Sequence, residues 1–227
     1  MSDIEGMLRD IRAEADYVCR MAGRGQLNTQ TMRAMRRVPR QQFVSKSFRT
    51  HAYENSPLPI GGGQTISQPF IVALMTDLAA PQTSDKVLEV GTGSGYQAAV
   101  LSHLAAELYT IEIQPELAQA SQHRLQEIGC RNIHYRIGNG YNGWPEQAPF
   151  DVIMVTGAVE AIPIALIEQL APGGRMVLPV GKHRYTQDLM LLHKDRDGGV
   201  HTSSLLPVTF IPLEGQDQEE DSSSNSD

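Results

Sequence analysis

The run Lys86-Val87-Leu88-Glu89-Val90-Gly91-Thr92-Gly93-Ser94-Gly95-Tyr96 constrains this chain of 227 residues more than any other stretch. Val87 to Val90 is short, apolar and rich in β-branched residues, which reads as a buried strand. Gly91, Gly93 and Gly95 follow at alternate positions, and Gln97 to Leu104 has the composition and apolar spacing of a helix. Strand, glycine turn and helix together open a nucleotide-type α/β unit. Residues without a Cβ let the backbone turn sharply and let a ligand approach it closely. Gly93, Gly95 and Ala98 also satisfy Gly-x-Gly-x-x-Ala, so the glycines alone admit a dinucleotide whose pyrophosphate rests on the helix N-terminus. Glu89 argues the other way. A carboxylate at the strand's carboxyl end repels a pyrophosphate and suits cationic groups such as a sulfonium or an ammonium. A glycine turn that holds no ligand is the third reading.

The flanking sequence supplies the rest of an α/β domain. Ser2-x-x-Glu5 has the form of a capping box, and Ile4, Met7, Leu8, Ile11, Ala15 and Val18 recur at helical spacing until Gly23-Arg24-Gly25. Asn28 or Thr29 caps a second helix that stops before Pro39. The arginines at 33, 36, 37 and 40 read as a solvated helix face. Between Ser56 and Pro69, two further prolines and three glycines argue against regular structure, and loops of this kind often carry function. Pro69 opens a helix to Ala79, which puts Thr65, Ser67 and Gln68 near its N-terminus; Ser67 there is either an N-cap or a substrate contact. Leu108–Ile113 is a strand carrying Glu112, 17 residues after Gly95, close to the offset at which a carboxylate receives ribose hydroxyls. A helix from Pro115 to Ile128, a strand at 133–137, an apolar strand at 150–156, a helix from Pro163 and a strand at 175–180 continue the alternation. It predicts a doubly wound, mainly parallel sheet. Segments 189–193 and 203–211 read as a closing antiparallel hairpin.

Composition narrows the function classes. Net charge is −7, and residues 1–50 hold ten of the nineteen basic residues. No basic stretch is interleaved with aromatics, which argues against a dedicated nucleic-acid binder. No run approaches a membrane span. Two distant cysteines, Cys19 and Cys130, suit reduced thiols in a cytoplasmic protein. The seven histidines show no metal-ligand spacing, so no metal is expected. The expected organisation is an N-terminal helical segment at 1–55, a catalytic α/β domain at 56–213, and an acidic, serine-rich disordered tail at 214–227.

Two motifs carry a resemblance. Glu-x-Gly-x-Gly-x-Gly resembles the first motif of class I methyltransferases. Leu58-Pro59-Ile60-Gly61-Gly62-Gly63-Gln64-Thr65-Ile66-Ser67-Gln68-Pro69, followed by the 87–97 segment, is similar to the protein-L-isoaspartate O-methyltransferases. Gly143-Trp144, Pro149-Phe150-Asp151, Leu178-Pro179-Val180-Gly181 and Phe210-Ile211-Pro212-Leu213 extend the match. The resemblance implies a Rossmann-like enzyme that uses S-adenosyl-L-methionine to methylate isoaspartyl residues of damaged proteins and peptides; a monomer is expected. It also assigns roles. Ser67 becomes the catalytic hydroxyl. Thr65, Ile66, Glu89, Gly91, Gly93, Gly95, Glu112, Asn139 and Gly140 contact the cofactor. Leu58, Pro59, Ile60, Thr156, Val180 and Gly181 contact the substrate.

Two positions depart from the family pattern. Asn139 stands where the family usually has an aspartate that accepts from the adenine amino group, so weaker but retained cofactor binding is expected. Gly157 stands where an alanine is usual, which loosens that turn. A methyltransferase with another acceptor, a dinucleotide oxidoreductase and a non-catalytic cofactor-binding module are the competing readings.

Overall fold

The computed structural model describes residues 3–21, 25–182 and 185–215. Ser2, the Gly23-Arg24 pair and residues 216–227 of the expected tail lie outside them. Along the chain run α1 (Ile4–Met21), α2 (Thr29–Arg37), β1 (Leu58–Gly61), β2 (Gln64–Ile66), α3 (Pro69–Ala79), β3 (Lys86–Val90), α4 (Tyr96–Ser102) and β4 (Glu107–Glu112). Then follow α5 (Pro115–Glu127), β5 (Ile133–Ile137), β6 (Phe150–Val155), α6 (Ile164–Gln169), β7 (Leu170–Val180), β8 (Gln187–Lys194) and β9 (Val200–Val208).

Seven strands form one sheet in the order β5-β4-β3-β6-β7-β8-β9. β5 through β7 run parallel, and β8 and β9 close the edge antiparallel. Successive side chains of a strand point to opposite faces. Val87 therefore joins a core with α1 to α5, while Leu88 and Val90 join a second core with α6 and the turns around Trp144. β4 lies on one side of β3 and β6 on the other, so the chain reverses its winding beside the carboxyl end of β3. Open α/β sheets bind ligands at such points. Local chemistry places the helices: Asn28 Oδ1 accepts from Gln30 N at 2.8 Å, and Pro69 and Pro115 sit in the first turns of α3 and α5. Among the described residues no helix is long and apolar enough to cross a membrane.

Three expectations need correction. The segment before Pro69 is not irregular, because β1 and β2 pair as a small antiparallel hairpin, Leu58 opposite Ile66. The three glycines make its turn instead of preventing it, with φ of 97°, 60° and 75° at Gly61, Gly62 and Gly63. β7 starts at Leu170, ahead of the proline and glycines, and β9 ends at Val208, freeing the chain to cross the carboxyl ends of the strands. The arginines do not share one solvated face. Arg36 pairs with Glu5 in the open, with Nε to Oε1 at 2.8 Å, but Arg40 is completely buried.

Candidate active site

The glycine turn is held from beneath by β4. Gly91 N and Thr92 N both donate to Ile111 O, at 2.8 and 3.2 Å. Gly93 N donates to Glu112 Oε2 at 2.8 Å, and Gln114 N donates to Glu112 Oε1 at 3.0 Å. Glu112 is thus positioned at both oxygens, each with a lone pair to spare. Gly91 has φ of 95°, and a Cβ there would lie 2.5 Å from Thr156 Oγ1, so only glycine fits.

Above the turn lies a cleft. Of the residues expected in the site, it brings together Thr65, Ile66, Ser67, Gly91, Gly93, Glu112, Gly140 and Thr156. A second groove, between the β1–β2 hairpin and residues 206–212, shares Thr65, Ser67 and Thr156 with the cleft. Ser67 therefore stands where the two meet. The N-cap position of α3 is Gln68, which makes no side-chain cap, so Ser67 is not the cap. Thr156 Oγ1 donates to Gly91 O at 2.5 Å and Val90 O at 3.0 Å, tying the end of β6 to the end of β3.

The other expected residues lie off the cleft wall. Glu89 is fully buried and turned under the turn, where its Oε2 accepts from Thr110 Oγ1 at 2.5 Å. Burial, with a smaller push from Glu112, raises its carboxyl to about 8. It is then mostly uncharged at neutral pH, so the repulsion argument drawn from its charge does not hold. Gly95 caps α4 at φ of 87° and faces α5; a Cβ would lie 3.0 Å from Leu125 Cδ1, so its role is packing. Asn139 is already engaged: Oδ1 accepts from Tyr141 N at 2.9 Å, and Nδ2 donates to Gly215 O at 2.7 Å. Leu58 packs in the core, Pro59 is exposed, and Ile60 lies beside Gly93. Val180 and Gly181 pair with Val159 at the end of β7 and line neither the cleft nor the groove.

Sequence reasoning missed one wall of the cleft. Beyond β9 the chain returns across it, and Phe210, Pro212, Leu213 and Glu214 line it. Leu213 N donates to Ala158 O at 2.8 Å, and Glu214 Oε1 accepts from Gln64 Nε2 at 2.9 Å and Gln114 Nε2 at 2.7 Å. Gly157 explains itself here: a Cβ would come within 3.1 Å of Leu213 Cα, so its absence lets this segment approach rather than loosening the turn. The only signal in the sequence was the Phe210–Leu213 match, which carries no periodicity.

The model of the protein-L-isoaspartate(D-aspartate) O-methyltransferase family matches residues 13–218. The chain belongs to this family. Two relatives bearing the name protein-L-isoaspartate O-methyltransferase are close. That of Polaromonas sp. is 52% identical, over 95% of this chain and 99% of its own. That of Cupriavidus necator is 51% identical, over 92% and 81%. A solved protein-L-isoaspartate O-methyltransferase is 28% identical with a TM-score of 0.77, over 90% of this chain and 66% of its own. A putative family member from Plasmodium falciparum, solved in complex with S-adenosyl-L-homocysteine, shares the fold at 20% identity and a TM-score of 0.79, over 94% and 99%.

Proposed function

We infer that this family member transfers a methyl group from S-adenosyl-L-methionine to the side-chain carboxylate of L-isoaspartyl residues in damaged proteins and peptides. The resulting ester collapses to a succinimide, which reopens in part to normal aspartate. The observation that carries the reading is the junction at Ser67, where a cleft floored by Glu112 and glycines meets a groove open to a peptide.

The residues present fit the cofactor. Glu112 holds a carboxylate at the cleft floor for a hydroxyl pair, and the Gly91 cradle is one that any Cβ would close. At the Asn139 end the fit requires Gly215 to give way or to share the carboxamide. Bound in the cleft, S-adenosyl-L-methionine supplies a sulfonium methyl group open to attack by an anionic oxygen. The acceptor carboxylate is already ionised at neutral pH, with a reference pKa of about 4, so no general base is needed. What the chain contributes is alignment: Ser67 donates to one carboxylate oxygen and leaves the other aimed at the cleft. Alignment of this type supplies roughly 7–11 kcal/mol in ideal cases. The protein acts as a monomer in the cytoplasm.

The test uses cofactor with a labelled methyl group and two peptides differing only in aspartyl or isoaspartyl linkage. Label appears on the isoaspartyl peptide alone, as a base-labile ester. Ser67→Ala lowers kcat more than it weakens S-adenosyl-L-homocysteine binding. Label on neither peptide, with cofactor bound, refutes the acceptor assignment, and undiminished turnover in Ser67→Ala refutes the role of the hydroxyl.

A further inference from the structure

Arg40 is the largest fully buried side chain among the described residues, and nothing in the reaction as derived so far uses it. It follows α2 by three residues, in a short 3-10 turn at Arg40–Phe43. A buried guanidinium needs acceptors on every side of its fork. This one takes backbone carbonyls from the segment that leads to the acceptor side of the cleft. Nε donates to Ala52 O at 2.9 Å, and Nη2 donates to Ser56 O at 3.3 Å and to Ser67 O at 2.8 Å. Its guanidinium carbon lies over the Tyr96 ring, 4.8 Å from the centroid. Tyr96 opens α4 directly after the glycine turn, is 1% exposed, and also lines the cleft. One group therefore touches both halves of the site: the residue carrying the active hydroxyl and the first residue of the helix behind the cofactor turn. Nη1 is buried with no protein acceptor. An arginine that met only structural needs would more easily be replaced by an apolar side chain, since burying its charge is costly. Burial lowers its pKa to about 10, so it remains charged at neutral pH.

We propose that Arg40 is a positioning residue for methyl transfer: its guanidinium fixes the backbone of Ser67 relative to Tyr96 and the glycine turn, and so sets where the acceptor carboxylate sits against the methyl group. This rests on the role given to Ser67 above. Lysine cannot replace it, because an ammonium is a single point of donation and lacks the planar fork that reaches three carbonyls while stacking on a ring. The cofactor side does not depend on Arg40 to the same degree, since Ile111 and Glu112 hold the turn independently.

The experiment is a double-mutant cycle on the full chain with Arg40→Lys, Ser67→Ala and the pair, reading kcat and KM for an isoaspartyl peptide beside S-adenosyl-L-homocysteine affinity. A displacement on the scale of an ångström costs about 100-fold in rate, so Arg40→Lys is expected to lose kcat on that scale with cofactor affinity within about twofold. In the Ser67→Ala background the same substitution is expected to cost less than about threefold, because the hydroxyl it positions is gone. Losses that multiply fully in the pair overturn the proposal and leave Ser67 in place, as does a kcat in Arg40→Lys equal to that of the parent. A parent-like kcat in Ser67→Ala alone removes the Ser67 role itself. Arg40→Gln, which keeps a planar donor without the charge, is measured in parallel. Should neither variant fold even with S-adenosyl-L-homocysteine present, Arg40 belongs to the scaffold and the proposal fails.

Discussion

Glu89→Gln separates a buried neutral acid from a charged ligand-binding one. The carboxyl is completely buried, accepts from Thr110 Oγ1, faces Glu112 and Tyr135 from β4 and β5, and titrates at about 8 in the folded chain. In the unfolded chain it titrates near 4.5. The native state therefore binds more protons than the unfolded state between these values. Stability is fully retained below the lower pKa and is lost as pH rises toward the higher one. Taken through the linkage relation, the loss between pH 5 and pH 7 is about 2–3 kcal/mol. Glutamine keeps the acceptor for Thr110 and cannot ionise, so the variant escapes this loss. For a chain of this size 1 kcal/mol moves Tm by about 2–4 °C. The Tm of Glu89→Gln relative to the parent should accordingly rise by about 5–10 °C between pH 5 and pH 7. Calorimetric melts of both proteins at half-unit pH steps read it directly. A Tm difference that stays flat with pH refutes the reasoning and returns Glu89 to the charged state.

Two further outcomes accompany the kinetic ones given above. Asn139→Asp removes the donor to Gly215 and restores a charged acceptor; a change of about 1 kcal/mol in S-adenosyl-L-homocysteine binding is expected by titration calorimetry, toward tighter binding. An unchanged dissociation constant would mean that Asn139 neither contacts the cofactor nor matters through Gly215. Gly95→Ala forces a Cβ into φ of 87° and against Leu125. A loss of about 1–3 kcal/mol in stability is expected from denaturant melts, and a parent-like midpoint contradicts the packing role.

The glycine turn, the parallel strands and Glu112 were legible because each follows from a local rule: apolar runs, alternating glycines, and a fixed offset between two strand ends. Three features were not. Glu89 lies on a strand buried on both faces, where alternation does not reveal which face holds the ligand. Arg40 continues the spacing of Arg33, Arg36 and Arg37, but α2 ends at Arg37, and the turn beyond Pro39 sends the fourth arginine inward. The wall from Phe210 to Glu214 is extended and without period, so its place depends on tertiary partners such as Ala158 and Gln114 that no local pattern announces.

That wall also says something about how the cleft is closed. Glu214 and Gly215 are pinned to the hairpin, to the loop after β4 and to the loop after β5 through Gln64, Gln114 and Asn139. Two of these pins are exposed, and such bonds contribute only about 0.5–1.5 kcal/mol each. This edge of the cleft is therefore held by bonds that are weak one by one, beside the backbone bond from Leu213 N to Ala158 O. Two glutamines and an asparagine thus decide how firmly this side of the cleft is closed.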